Sequence, residues 1–173
     1  ARYEAQLQLR TFTAQDVKVP GEKALIGQSM VVANRRIAKG EIVGVYGGTV
    51  LPSGMFGEGG QTYTMKVGSQ QVAQGNSLVE VPINLSGDNI LSRINTHFEY
   101  DDNGKPLRQA PSGYNVETVG FDVEADMLLG VGPGAQIKRK PFILNAVFAI
   151  EDIAAGTELR MDYQYTEGMI KKQ

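Results

Sequence analysis

Apolar residues in this chain come in short runs rich in Val, Ile, Leu, Tyr and Thr, with glycine between them. No stretch carries the apolar spacing of a long amphipathic helix. The pattern predicts strands over Gln6 to Thr13, Met30 to Ala33, Glu41 to Tyr46, Tyr63 to Val67, Leu78 to Pro82, Val116 to Val123, Ile143 to Ala149 and Thr157 to Asp162. One helix is predicted. Ser86-Gly-Asp-Asn offers capping side chains ahead of Ile90, Leu91, Ile94 and Phe98, which recur at helical spacing, so a helix is expected from Asn89 to Phe98. Gly54 to Gly60 and Asp101 to Gly113 read as loops, the second carrying the turn dipeptide Asn103-Gly104 and two prolines. The expected class is mainly β.

The chain echoes itself once. Residues 33–43 and 149–159 share the pattern A-x-x-x-I-A-x-G-x-x-[VL], with Ala33, Ile37 and Gly40 answered by Ala149, Ile153 and Gly156. Such a unit suits a strand, a tight turn closed by a glycine at positive φ, and a second strand, with the isoleucine pinning the turn onto the core.

Composition narrows the function classes. A length of 173 residues suits one domain, and no window approaches the roughly 20 apolar residues of a membrane span. Lys+Arg 17 against Asp+Glu 19 leaves a formal charge of -2, so no basic field draws the chain to nucleic acid or to anionic lipid. Zero cysteines remove disulfides, thiolate nucleophiles, Fe–S clusters and sulfur-bound zinc, and a single histidine, His97, leaves no His-rich metal site. No metal is expected. Residue 1 is Ala and no charged-then-apolar leader follows, so a targeting segment is expected to be absent or already removed. Gly130-Val-Gly-Pro-Gly134 ahead of Lys138-Arg-Lys140 lacks the G-K-[ST] of a phosphate-cradling loop and reads as a hairpin loop. Glu99, Asp101 and Asp102 form an acidic cluster that either attracts a basic peptide or is an ordinary surface loop.

The second echo copy runs on into Gly156-Thr-Glu-Leu-Arg-Met-Asp162-Tyr163, which resembles the closing motif G-x-E-L-x-[FY]-D-Y of SET-domain protein lysine methyltransferases. Ahead of the first copy, Gly27-Gln-Ser-Met-Val-Val-Ala33 is similar to that family's opening G-x-G-x-x-x-A, and Tyr46-Gly-Gly48-Thr-Val50 to its Y-x-G-x-[VI] element. In the middle, Gly87-Asp-Asn89-Ile90-Leu-Ser-Arg-Ile94-Asn95 is similar to the segment G-N-I-x-R-[FL]-[IL]-N-H-S, and Asn115 stands where a second asparagine follows. The departures are Ser29 for the second glycine, Ser92 for the arginine, Thr96 for the histidine and Met161 for an aromatic.

The resemblance implies a mainly β, SET-like fold of several small sheets with a knotted (pseudoknot) C-terminal segment and few short helices. As a single domain it would have a flank at 1–23, a core at 24–165 with an inserted loop at 99–113, and a short tail at 166–173. The implied activity is S-adenosyl-L-methionine-dependent lysine N-methylation of a protein, with histone tails the family's usual substrate class and no membrane or nucleic acid partner. By match to the motifs, Tyr163 is the catalytic hydroxyl. Gly27, Ser29, Met30, Tyr46, Asn95, Thr96 and Tyr163 fall at the cofactor, and Tyr114, Met161 and Tyr165 at the lysine channel. Asn115 would tie the closing segment down. A thioether at Met161 hydrogen-bonds poorly, which favours di- or trimethylation over a single methyl. A lysine amine near pKa 10.4 costs about 4 to 5 kcal/mol to deprotonate at pH 7, an amount that repulsion from a nearby sulfonium can offset, so no strong base is required. Two other readings stand beside this one: a SET-like binding module without transfer activity, and a β-rich interaction domain unrelated to methylation. The compartment is open, between cytoplasm and delivery into a host cell or its nucleus by a divergent bacterial member.

Overall fold

The computed structural model describes residues 4–52, 63–74, 76–124 and 140–170, and these are mainly β. In chain order the strands are β1(Leu7–Thr11), β2(Ser29–Ala33), β3(Ile42–Tyr46), β4(Gly48–Pro52), β5(Thr64–Gln74), β6(Ser77–Gly87), β7(Phe98–Tyr100), β8(Pro106–Gln109), β9(Val116–Val123) and β10(Phe142–Ala149). Among the described residues these form four small sheets, ordered β1-β2, β3-β10-β9, β4-β6-β5 and β7-β8. Among the described residues the helical pieces are short: 3₁₀ segments at Glu4–Gln6, Pro20–Leu25 and Ile90–Arg93, and an α-turn at Glu167–Ile170. Among the described residues no helix is long and apolar enough to cross a membrane. The stretches at 54–60 and 130–134, read above as loops, lie outside the described residues.

The chain divides into two compact units, one made of 1–44, 93–118 and 147–173, the other of 45–92 and 119–146. In the first, Phe12, Val31, Ile37, Ile94, Val116, Val147, Ile153 and Leu159 are buried. The two echo copies meet there face to face. Ile37 and Ile153 exchange backbone hydrogen bonds of 2.9 and 2.8 Å, Gly40 N–H donates to the Ala149 carbonyl at 2.7 Å, and Gly156 N–H to the Ala33 carbonyl at 2.7 Å. Each copy thus gives the other the same two bonds, and both glycines sit at positive φ, 79° and 82°, with open space where a Cβ would point. The glycines serve the turn rather than a close approach.

After Gly156 the chain is hydrogen-bonded on both sides. Toward β2, Ala33 N–H donates to the Thr157 carbonyl at 3.0 Å and Leu159 N–H to the Val31 carbonyl at 2.8 Å. On its other side the Asn115 carboxamide acts as a piece of backbone, donating to the Glu158 carbonyl and accepting from Arg160 N–H, both at 2.8 Å. The expected strand over 157–162 is therefore a single extended thread with bridges to three different partners, Val32, Asn95 and Val116, rather than a member of one sheet.

The second unit is organised by the β4-β6-β5 sheet, with Val67, Ile83, Leu85 and Phe142 buried. Gly48 is required where it lies, because a Cβ there would come within 1.9 Å of the Ser86 carbonyl oxygen. Tyr46 is buried, and its hydroxyl donates to the Tyr63 carbonyl at 3.0 Å.

The helix expected over Asn89 to Phe98 is not formed beyond one 3₁₀ turn, and β7 begins at its predicted end. The cause is the use of three successive carbonyls. Ile94 accepts from the Tyr163 hydroxyl, Asn95 from Met161 N–H at 3.0 Å, and Thr96 from the Arg160 guanidinium at 2.7 Å. These bonds fix the directions in which the three carbonyls point, toward the distant segment rather than along a helix axis. The loop expected over 101–113 contains β8, which pairs with β7 in an antiparallel hairpin.

Candidate active site

The closing motif presents its candidate side chains from the thread. Tyr163, half-buried, donates its hydroxyl to the Ile94 carbonyl, one residue from Asn95. Asn95 in turn donates its amide to the Ser29 carbonyl at 3.2 Å and to a Glu158 carboxylate oxygen at 3.1 Å. Both amide partners lie within the protein, and the carboxamide oxygen has none among the described residues. That fixes the group with its acceptor free, the arrangement suited to a cationic amine. Opening, central and closing motifs thus meet at Ser29, Asn95 and Tyr163.

Behind them lies a buried ionic cluster that the sequence did not announce. Arg160 is 1% exposed at its side chain and Glu22 and Glu158 are 2% and 5% exposed. The guanidinium bonds Glu158 at 2.7 Å and the Thr96 carbonyl at 2.7 Å, approaches Glu22 at 3.4 Å, and stands 5.8 Å from the Phe12 ring centroid. Its Nε has no partner among the described residues. Glu22 also accepts from the Lys18 and Val19 amides, as a glutamate at the third position of a helical turn does. The available signal was Pro20 at the start of that turn with Glu22 two residues on, and Glu158 and Arg160 set between the apolar Leu159 and Met161. His97 Nδ1 lies 3.5 Å from Glu22. Burial holds the His97 pKa below its ordinary 6.5 and the Arg160 cation lowers it further, while Glu22 opposes both.

The other expected site residues distribute unevenly. Ser29 is exposed at the start of β2, and Gly27 beside it is exposed at φ 90°, its N–H bonded to the Phe12 carbonyl at 2.9 Å. Met30 points into the core with Phe12 and Val32. Thr96 is buried, its hydroxyl accepting from Gln109 at 2.8 Å. Met161 is buried beside Asn95 and Val116. Tyr165 meets Tyr163 edge to face at 5.3 Å and stacks on Phe98 at 6.2 Å, so Phe98, read from the sequence as an apolar helix position, joins the aromatic row. Tyr114 packs against His97, its ring 5.9 Å from the imidazole and its hydroxyl donating to the Ala110 carbonyl at 2.6 Å. Tyr46 belongs to the second unit. Of the acidic cluster, Glu99 is paired with Arg108 at 2.6 Å and Asp101 caps the hairpin turn through the amides of Asn103 and Lys105. Among the described residues no group of three His, Asp or Glu is arranged to hold a metal ion.

No protein-family model matches the chain, and no curated protein does. Among solved structures it is similar to the methyltransferase domain of human PR domain-containing protein 2. The likeness has a TM-score of 0.42 and 15% identity, and covers 93% of this chain and 78% of that one.

Proposed function

We propose that the chain is an S-adenosyl-L-methionine-dependent protein lysine N-methyltransferase of SET-like type, in which the C-terminal thread makes the knotted crossing of that fold. The observation that supports this most directly is the Tyr163 hydroxyl at the Ile94 carbonyl, next to an Asn95 whose carboxamide oxygen has no partner among the described residues. These groups come from distant parts of the chain and match two separate motifs of the resemblance. The cofactor supplies an electrophilic methyl on a sulfonium. Asn95 would hold its amino end by the carboxamide oxygen, and the exposed backbone at Gly27 and Ser29 would border it; the geometry fits both roles. Tyr163 orients a neutral lysine amine through its phenolic oxygen, and Tyr165 and Phe98 shelter the approach from water. Met161, a buried thioether, offers no hydroxyl to restrain further methyl addition.

The test is transfer of radiolabelled methyl groups to protein mixtures, histones among them, by wild type and by Tyr163→Phe. Label on lysine with the wild type, reduced at least about tenfold in the variant, is the expected result for loss of an orienting group. Mass spectra of the product should show di- or trimethyl lysine at saturating enzyme. A product held at one methyl would refute the role given to Met161. The module reading draws on Thr96, whose hydroxyl and carbonyl are both engaged internally. Absence of thermal stabilisation by S-adenosyl-L-methionine at millimolar concentration would favour a binding module, since a ligand of the native state raises stability by RT ln(1 + [L]/Kd).

A further inference from the structure

Gln109, at the end of the inserted β7-β8 hairpin, makes three hydrogen bonds with one side chain. Its amide nitrogen donates to the Thr96 hydroxyl at 2.8 Å and to the Asp162 carboxylate at 2.6 Å, and its amide oxygen accepts from Tyr165 N–H at 2.7 Å. It thereby brackets Tyr163. The bracketed segment is under strain, because Gln164 sits at φ 55°, a region in which a residue other than glycine is uncommon. The Asp162 carboxylate helps hold that kink by accepting from Gln164 N–H at 2.7 Å. With the chain kinked between them, Tyr163 and Tyr165 meet edge to face, and the same hairpin lends Phe98 to stack on Tyr165.

We propose that Gln109 is a positioning residue for Tyr163: it clamps the 162–165 kink to Thr96 and so fixes where the Tyr163 phenol stands, the inserted hairpin serving as the wall of the lysine approach. This rests on the methyltransferase reading above. A strained turn persists only where its surroundings over-determine it, and Gln109 supplies bonds to residues on both sides of Gln164 from outside the segment.

The experiment measures two quantities on the full chain, for wild type, Gln109→Ala and Gln109→Glu, with circular dichroism to confirm that each is folded. The first is hydrogen–deuterium exchange at residues 162–166, which needs no activity. The second is methyl transfer to the protein substrate found for wild type, with kcat and KM separated. Gln109→Ala should raise exchange at Tyr165 and lower kcat by about tenfold or more while KM changes much less, as misplacement of a catalytic group does. In Gln109→Glu the new carboxyl can donate to Asp162 only when protonated, so its kcat relative to wild type should fall as pH rises, a profile absent from Gln109→Ala. Unchanged exchange in Gln109→Ala overturns the clamp. Raised exchange with unchanged kcat overturns its catalytic role. A wild type that transfers no methyl group overturns the methyltransferase reading and the positioning role with it, and exchange then reports on the clamp alone.

Discussion

Replacing Arg160 by methionine tests the buried ionic cluster. The substitution keeps much of the side-chain volume and removes the charge, leaving the Glu22 and Glu158 carboxylates and the Thr96 carbonyl without their shared donor. Removing one partner of a buried pair costs about 3 to 5 kcal/mol, because the orphaned charge stays out of water. For a chain of this length that corresponds to a melting temperature lower by roughly 6 to 20 °C. The contrast is Arg36, whose 2.6 Å contact with Asp152 is shorter than either carboxylate contact of Arg160 but whose pair has side chains 70% and 56% exposed. Arg36→Met should cost below about 1 kcal/mol, since exposed pairs exchange one well-solvated state for another. Thermal and urea unfolding of both variants, followed by circular dichroism, measures the difference. Adding Glu22→Gln and Glu158→Gln to Arg160→Met should recover part of the loss, because the orphaned charges go with them. A drop in Arg160→Met no greater than in Arg36→Met would refute the reasoning, and would mean that water reaches the cluster.

Two further outcomes follow from neighbouring contacts. Gly21→Ala would place a Cβ 2.1 Å from Tyr100 Cγ, so it should destabilise by about 1 to 3 kcal/mol through overpacking, and Tyr100→Ala in the same chain should restore part of that in urea unfolding. His97 has a folded-state pKa below its ordinary 6.5, first because it is buried, so the unfolded chain binds the proton more readily. Stability should then be fully present above pH 6.5 and fall as pH drops from there toward the lowered value. This component should vanish in His97→Gln when unfolding is measured between pH 5 and 7.5, and its persistence there would assign it to other groups.

Much of the frame was legible because it rests on local patterns. The echo was visible as letters, and its glycine turns and buried isoleucines follow from what those letters can do. The structure adds that the two copies bond to each other, which no single copy reveals. The strand at 116–123 and the dipeptide Asn103-Gly104 also read correctly, and Gly104 at φ 78° closes the β7-β8 turn. The strand after that turn did not, because β8 reads Pro-Leu-Arg-Gln and is mostly exposed, without the apolar alternation that marks a half-buried strand. Arg160 and Glu22 were missed for a different reason. A charged residue is a surface residue by default, and only the partners brought to it by the fold make burial tolerable.

The missed helix bears most on the candidate site. Ile90, Leu91 and Ile94 do have helical spacing, and Leu91 and Ile94 are buried as that spacing requires, so the local signal was real. It was overridden by bonds from a segment more than sixty residues away, to the carbonyls of Ile94, Asn95 and Thr96. In a helix continuing to Phe98 the Ile94 carbonyl would be taken by the Phe98 amide and the next two carbonyls would point along the helix axis, away from the directions in which the Tyr163 hydroxyl, the Met161 amide and the Arg160 guanidinium now find them. Helix and site are therefore alternatives for the same backbone. The chain takes the second because it satisfies a buried cation, places a phenol beside Asn95 and completes the thread against β2 at once. A departure from local propensity at the point where three motifs converge is what a functional site is expected to show.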